Sequence, residues 1–216
     1  FRDVPLKNSI FNVVYLAGAL GAYSVMRYIA LGKYFLGDVT TTIVENQIKF
    51  LGLGARIATS LKVLFMYIVR LLWPIHLSSD YSYNTIQNVT NIFSSPEALI
   101  GLLALVLMGY LAINRKYSRT TVGLASAIFL VSYIMISNLI FPIGTVMAER
   151  LMYFPSLGFV IIVAFAINWL VNLENKNIKY AGYCILILIL IFFGARTIIR
   201  NRDWKDTKSV FSAMLK

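Results

Sequence analysis

The sequence predicts an all-α protein, a polytopic bundle of five or six membrane-spanning helices. Hydrophobic residues make up 59% of the 216 residues and charged residues only 13%, whereas a soluble domain is about 25% charged. The apolar residues are concentrated in runs close to the roughly 20 residues that a spanning helix needs. Basic residues are concentrated in alternate short segments between these runs, which is typical of membrane proteins.

Five apolar runs predict the spans. They cover residues 9–32, 98–113, 121–140, 154–171 and 181–199. A sixth run, residues 57–75, contains Lys62 and Arg70 and stops at Pro74. It fits either a further span or a re-entrant or interfacial helix with both charges on its polar side. The sequence leaves these two alternatives open.

The charges of the short segments predict the orientation of the spans. Segment 114–120 has three basic residues and no acid, and segment 172–180 has two lysines against one glutamate. Segment 76–97 has neither lysine nor arginine, and segment 141–153 has only one arginine. The first two are therefore expected in the cytoplasm and the last two outside. By alternation the tail after residue 199 is also external, although its five basic residues favour the inside.

The ends of the chain predict its organisation. We expect residues 1–200 to form the helix bundle and residues 201–216 an amphipathic helix, with Asp203 as its candidate N-cap. The sequence starts at Phe1 without a signal peptide and ends abruptly in VFSAMLK. We therefore expect it to be a piece of a longer protein.

Several classes of site are disfavoured by composition. The single Cys184 cannot form a disulfide within the chain, and the lone His76 cannot build a multi-histidine metal site. No P-loop, zinc-protease or serine-hydrolase motif is present. The net charge of +11 suits anionic lipid headgroups or phosphorylated substrates. Nucleic acid is not an expected partner, because the basic residues are scattered among the spans.

One triplet in the longest polar segment, Asn88-Val89-Thr90, is a formal N-glycosylation acceptor. It has meaning only in a eukaryotic secretory compartment.

Arginines and acids gather at the external boundary in this topology. Arg150 follows Glu149, Arg70 ends the ambiguous run, and Arg196 and Arg200 share one helix face. A guanidinium binds phosphate through two hydrogen bonds and stays charged when partly desolvated. A nearby carboxylate could orient a hydroxyl, ligate a divalent cation or act as a base. The combination suits a lipid-linked phosphate substrate.

Simpler interpretations compete with this site. Arg196 and Arg200 fit basic residues that extend to lipid headgroups. Glu149 and Arg150 also fit a structural ion pair in a short interhelical turn, and Asp80 fits a solvated loop acid. Likewise, the charges of run 57–75 fit an interfacial helix and nothing more.

Three stretches resemble one family in their order and spacing. They are LLWPIHLSSDYSYNTI (71–86), FPIGTVMAERLMYFPSLGF (141–159) and RNRDWKDTKSVFSAML (200–215). They resemble the membrane region of the transmembrane and tetratricopeptide-repeat family, which is similar to protein O-mannosyltransferases and belongs to the GT-C superfamily. The matching residues are Pro74, Asp80, Tyr81, Ser82, Phe141, Pro142, Ala148, Glu149, Arg150, Tyr153, Pro155 and Ser156.

The resemblance covers residues 44–216 and implies a GT-C-like fold and a glycosyltransferase. Such an enzyme moves a sugar, here mannose, from a polyprenyl- or dolichyl-phosphate carrier to a protein hydroxyl. The implied active face is the external face of a prokaryotic plasma membrane or the lumenal face of the endoplasmic reticulum. The general base would lie before Phe1 and the repeats after Lys216. The chain alone is therefore expected to be inactive.

The resemblance also implies roles for residues. Arg150 would neutralise the carrier phosphate, and Glu149 would orient Arg150 or hold a metal or a sugar hydroxyl. Arg70, Arg196 and Arg200 would bind the lipid phosphate. The substrate cavity would be lined by Asp80, Tyr81, Ser82, Glu149 and Tyr153. No cofactor is predicted with certainty, and a divalent cation is compatible with the carboxylates. Membrane lipids, the lipid-linked sugar phosphate and the protein acceptor are the expected partners.

Two other functions stay open at this point. A transporter or flippase of lipid-linked or anionic solutes would need polar residues along a route through the bilayer. The candidates within the spans are Ser126, Ser132 and Asn168. A non-catalytic membrane anchor for a repeat domain is the second alternative.

Overall fold

The computed structural model describes residues 6–32, 41–78, 81 and 84–214. Over these residues the chain is helical and has no strand, which confirms the predicted fold class. The α-helices are α1 (Leu6–Leu31), α2 (Leu53–Leu72), α3 (Pro96–Ile113), α4 (Thr121–Ile134), α5 (Tyr153–Val171), α6 (Lys176–Asp203) and α7 (Thr207–Met214). Short 3-10 helices cover Gln47–Phe50, Ile92–Ser94 and Glu149–Met152.

Four helical segments among the described residues are long and apolar enough to cross a membrane. They are Val13–Leu31, Pro96–Ile113, Glu149–Val171 and Lys176–Asp203. The run predicted at 121–140 forms a shorter helix than expected, because α4 ends at Ile134 after 14 residues. Beyond it, Asn138 adopts a left-handed backbone conformation with φ of 55°. The chain is an integral membrane protein, as predicted.

The structure divides into two compact units, and the first, which ends at Thr41, contains α1. In the second unit, which starts at Thr42, each of the helices α3 to α6 packs against the next one, and α2 packs against α3. Gly101 makes the contact between α2 and α3 close, since a Cβ on it would lie 2.0 Å from the Leu61 carbonyl oxygen. A Cβ on Gly158 would lie 2.4 Å from the Ala125 carbonyl oxygen, between α5 and α4.

The two ends of the α3–α6 bundle are built differently. At one end, here called the turn end, residues 114–120 and 172–175 join consecutive helices through short capped turns. Thr120 and Asn175 provide the side-chain caps of α4 and α6. At the other end, here called the loop end, segments 73–95 and 135–152 lead into α3 and α5. Because consecutive helices joined by short turns are antiparallel, α6 also ends at the loop end.

The structure decides the open question about α2. Side chains along almost its whole length hydrogen-bond the two loop-end segments. A helix that contacts loops of one end along its length cannot also connect the two ends, so α2 lies across the loop end and is not a span. The bonds run from Arg56 to Leu139, from Thr59 to Val89, from Lys62 to Gln87, from Tyr67 to Ala148 and from Arg70 to Tyr81.

The buried core of the second unit lies between α2, α4 and the loop-end segments. The rings of Tyr67 and Tyr133 meet edge to face with centroids 6.2 Å apart, and Phe129 stacks on Tyr133 at 5.7 Å. The other members of this core are Ile48, Val63, Leu64, Tyr81, Ile86, Val146, Met147 and Met152. Burial of this apolar surface is what holds α2 against the bundle.

The C-terminal part consists of the end of α6 and the short helix α7. Helix α6 continues without a break through residue 200 to Asp203, which is its last residue. Asp203 pairs with Arg200 at 2.9 Å. The predicted N-cap is therefore wrong, because Asp206, and not Asp203, precedes α7 and accepts a hydrogen bond from the Ser209 amide at 2.8 Å.

Candidate functional site

The phenol of Tyr81 is the centre of a hydrogen-bonded cluster at the loop end. Its oxygen accepts hydrogen bonds from Arg70 Nε at 3.0 Å and from the Ser78 amide at 3.1 Å. It donates to Glu149 Oε1. The Arg70 guanidinium carbon also lies 5.0 Å from the centroid of the Tyr81 ring, which is cation–π distance. Tyr81 is only 4% exposed, so the cluster is built into the protein.

Glu149 is held in place from two directions. It starts the 3-10 helix Glu149–Met152, directly before α5. The preceding Ala148 is fixed by Tyr67, whose hydroxyl accepts from the Ala148 amide at 2.9 Å and donates to its carbonyl at 3.1 Å. The Glu149 carboxylate also accepts from the Ser78 amide at 2.9 Å. This acid therefore ties the two loop-end segments together.

Burial controls the protonation of both phenols in this region. It raises the pKa of Tyr67 to about 12, because an ionised phenol would lose its hydration. Burial also raises the pKa of Tyr81, and the hydrogen bond to the Glu149 carboxylate raises it further. Both phenols are therefore neutral hydrogen-bond donors at neutral pH.

Arg150 is arranged differently from its neighbour. Its side chain is exposed, and within the described part of the chain its guanidinium makes no hydrogen bond or ion pair. Glu149 and Arg150 are adjacent, yet the carboxylate is bonded to Tyr81 and Ser78 and not to Arg150. A cation at this end is thus left available to a ligand.

The other predicted arginines already have partners in the protein. Arg70 bonds Tyr81 and also the Met66 carbonyl at 3.1 Å. Arg196 reaches from α6 to the end of α2, where it donates to the Pro74 carbonyl at 2.9 Å and to the Ile75 carbonyl at 2.6 Å. Arg200 forms the ion pair with Asp203. All of these lie at the loop end.

The remaining predicted cavity residues fall into two groups. Tyr153 starts α5 and is 79% exposed, and its ring contacts Phe154 edge to face with centroids 5.7 Å apart. Asp80 and Ser82 lie outside the described residues.

The carboxylate of Glu149 is better suited to accept hydrogen bonds than to ligate a cation. It faces an N–H and an O–H group, whereas divalent cations are held by several oxygen ligands together. Among the described residues, no group of three or more His, Cys, Asp or Glu side chains comes together. The described groups at this site are the Glu149 carboxylate, the phenol of Tyr81 and the guanidiniums of Arg70 and Arg150.

Sequence reasoning missed Tyr67 and the role of Arg196 at the end of α2. The Tyr67 hydroxyl pairs with a residue 81 positions away, and the Arg196 bonds join positions 122 and 121 apart. Trp73 also stacks on Phe192 of α6 with centroids 5.0 Å apart. Tyr67 and Trp73 lie on or beside the amphipathic helix α2, whereas no local pattern marks the contact that Arg196 makes from α6.

Comparison with known proteins gives a consistent set of relatives. The chain is 32% identical to the mouse protein O-mannosyl-transferase TMTC3 over 151 residues, which is 68% of this chain and 16% of that protein. It is 34% identical to the protein O-mannosyl-transferase tmtc2 of Xenopus laevis over 96 residues, 44% of this chain and 12% of that protein. It is 36% identical to Drosophila melanogaster Tmtc2 over 81 residues, 37% of this chain and 8% of that protein.

The chain spans only a small part of these relatives, at most 16% of those named above. No protein-family model matches it, and no solved structure gives a significant match. The aligned regions, together with the all-helical membrane fold, nonetheless give one consistent assignment. The chain belongs to the TMTC-like family, and the relatives named above are protein O-mannosyl-transferases.

Proposed function

We propose that this chain is part of the membrane core of a glycosyltransferase. The whole protein would transfer a sugar, with mannose as the expected one, from a polyprenyl- or dolichyl-phosphate carrier to a protein hydroxyl. The acceptor oxygen bonds to the anomeric carbon of the sugar while the bond from that carbon to the carrier phosphate breaks. The loop end would face the outside or the lumen. The names of the relatives and the predicted orientation support this proposal.

The observation that carries the proposal is the exposed guanidinium of Arg150, which has no partner among the described residues, next to the fixed carboxylate of Glu149. Negative charge grows on the carrier phosphate as the sugar leaves, and a preorganised cation is most effective there. Arg70, Arg196 and Arg200 are occupied by protein groups, whereas Arg150 is exposed at the same end. Arg150 is therefore the best candidate to bind the departing phosphate.

The buried cluster would act by holding Arg150 in position. Tyr67 fixes Ala148, and Tyr81 and Ser78 fix Glu149, so the backbone just before Arg150 is anchored on both α2 and segment 73–95. Catalytic groups need such support, because a displacement of about 1 Å can cost 100-fold in rate. Tyr67, Tyr81 and Glu149 are thus proposed as positioning residues.

The side chains inside the spans give little support to the transport alternative. The Ser132 hydroxyl donates to the Ile128 and Phe129 carbonyls of its own helix. The Asn168 side chain is exposed and accepts a hydrogen bond from Asn172 in the next turn. The Ser126 hydroxyl is buried in α4 and has no hydrogen-bond partner in the part of the chain that the structure describes. These groups do not form a continuous polar route.

The test is the rate of sugar transfer by the full-length enzyme with substitutions of Arg150. Removal of one preorganised electrostatic group typically costs about 100- to 1,000-fold in kcat. We expect Arg150→Ala to lose activity in this range and Arg150→Lys to recover only part of it, because lysine cannot make the two parallel hydrogen bonds. Arg119→Ala at the turn end is the matched control and should retain normal activity.

Near-normal transfer by Arg150→Lys would contradict the two-point contact with phosphate. Near-normal transfer by Arg150→Ala, with correct folding, would remove Arg150 from the catalytic site altogether.

A further inference from the structure

We propose that Asn88 is an acceptor for an N-linked glycan in a eukaryotic secretory compartment. This inference rests on the outward orientation of the loop end in the proposed function. Asn88-Val89-Thr90 is the only N-x-Ser/Thr triplet among the 216 residues. The triplet alone is a weak signal, but its position in the structure adds three further observations.

The structure exposes both reactive positions of the triplet. Asn88 and Thr90 are exposed, whereas Val89 between them is only 7% exposed. The Val89 amide donates to Thr59 Oγ1 at 3.0 Å, and the Thr59 hydroxyl donates to the Val89 carbonyl at 3.3 Å. Anchoring of Val89 on α2 therefore fixes the middle of the triplet and leaves the side chains of Asn88 and Thr90 at the surface.

The amide of Asn88 is also accessible. It lines an open polar cleft of about 250 Å³, whose other lining residues include Lys62, Thr90, Ser94 and Glu97. Within the described part of the chain, the Asn88 side chain makes no hydrogen bond that would have to be broken. A glycosyl donor can therefore approach the amide nitrogen without unfolding the segment.

The modification needs a co-reactant of one chemical class, an oligosaccharide carried on a lipid diphosphate. A bond forms between the Asn88 amide nitrogen and the anomeric carbon of the sugar, and the bond from that carbon to the diphosphate breaks. The amide loses one proton, the lipid diphosphate leaves, and nothing is oxidised or reduced. The compartment supplies both the donor and the transferring enzyme.

The experiment is to express the full-length protein in the presence of endoplasmic reticulum membranes and to digest it with an N-glycosidase. Digestion should increase the electrophoretic mobility of the unsubstituted protein by the equivalent of one glycan more than it increases the mobility of the Asn88→Gln variant. Thr90→Ala should lose the same glycan, and Thr90→Ser should keep it, since serine preserves the triplet. Equal mobility of the unsubstituted protein and Asn88→Gln would overturn the inference.

A matched control separates this inference from the proposed function. In the Asn88→Gln background, Lys116→Thr creates a triplet at Asn114 in the turn end. A glycan on Asn88 in the unsubstituted protein, together with no glycan on Asn114 in the double variant, supports the proposal. A glycan on Asn114 and none on Asn88 would reverse the orientation and would overturn both this inference and the outward site.

The orientation is also checked without glycosylation, by labelling Thr90→Cys in sealed vesicles with an impermeant thiol reagent. A Thr90→Cys thiol that reacts only after the vesicles are opened is lumenal, and this result without any glycan on Asn88 would overturn only the glycosylation inference. The proposed function would then depend on the Arg150 measurements alone.

Discussion

The connecting segments at the loop end and at the turn end of the bundle form hydrogen bonds with their polar groups in different ways. At the turn end, short links cap themselves: Asn114 Oδ1 accepts from the Lys116 amide at 2.9 Å, and the Thr120 hydroxyl donates to the Tyr117 carbonyl at 2.6 Å. At the loop end, polar groups distant in sequence satisfy one another under α2. Local capping needs only a few residues, whereas distant pairing fixes a surface on which a site can be built.

The two ends also differ in what they leave exposed. The basic residues of the turn end are solvated side chains without a carboxylate cluster, and Lys116 lies 5.5 Å from the centroid of the neighbouring Tyr117 ring. The loop end instead buries Tyr81 beside Glu149 and leaves Arg150 exposed. The comparison teaches that charge alone does not mark the candidate site. What marks it is a cation held next to a rigid, hydrogen-bonded framework.

The largest effect on stability is expected from Asn138, the most connected side chain of the loop end. It accepts from Asn46 and from the Ile143 amide at 2.9 and 2.8 Å, and it donates to the Thr145 and Val146 carbonyls at 3.1 and 3.2 Å. Leaving a buried polar group without a partner costs about 1–3 kcal/mol. Asn138→Ala should therefore destabilise the protein by roughly 3 kcal/mol or more, measured by unfolding in detergent micelles.

Asn114→Ala at the turn end is the matched substitution, and its loss should be about 1 kcal/mol or less. Asn138→Gly also deletes the amide, but glycine adopts the left-handed backbone without strain. The difference between the glycine and alanine variants therefore measures the backbone strain, and the loss that remains in Asn138→Gly measures the hydrogen bonds. Equal losses for Asn138→Ala and Asn114→Ala would show that the two ends do not differ in the way described.

The next effect is a loss of stability at alkaline pH that originates at Tyr67. Its pKa in the folded protein is about 12, above the value of about 10 expected in the unfolded chain. The folded state therefore holds the phenolic proton more tightly, and this stabilisation is fully present below pH 10. It is lost as the pH rises from about 10 to 12, at up to about 1.4 kcal/mol per pH unit.

The measurement is the free energy of unfolding between pH 7 and 12 for the unsubstituted protein and for Tyr67→Phe. We expect the contribution of Tyr67 to the free energy of unfolding to be constant up to pH 9. Above pH 10 the free energy of unfolding should decline more steeply in the unsubstituted protein than in the variant. Parallel curves for the two proteins would show that Tyr67 does not carry the alkaline loss.

A smaller effect is expected from Tyr81→Phe, which removes the phenol at the centre of the cluster. The Ser78 amide keeps its bond to Glu149, so only part of the network is lost. We expect a cost of about 1 kcal/mol, the usual net value of a hydrogen bond, and faster amide hydrogen exchange in residues 75–78. Tyr117→Phe at the turn end should change neither measurement. Unchanged exchange in Tyr81→Phe would mean that the phenol does not hold this segment.

Much of this architecture could be predicted from local sequence. The runs that form α3, α5 and α6 can be recognised in the sequence, because a spanning helix needs about 20 apolar residues and this is a property of the segment itself. The length of α4 was overestimated, since hydropathy continues through residue 140 while the helix ends at Ile134. Asn138 and its distant partners end the helix there, and no hydropathy pattern shows them.

The sequence by itself determined that this is a helical membrane protein with arginines and acids at one boundary, because hydropathy and charge are counted residue by residue. Only the tertiary structure decided that α2 lies across the loop end and that Glu149 bonds Tyr81 and Ser78 and not the adjacent Arg150. The physical reason is that a hydrogen bond depends on which groups packing brings within about 3 Å. The pairs concerned are 68 and 71 positions apart in the chain.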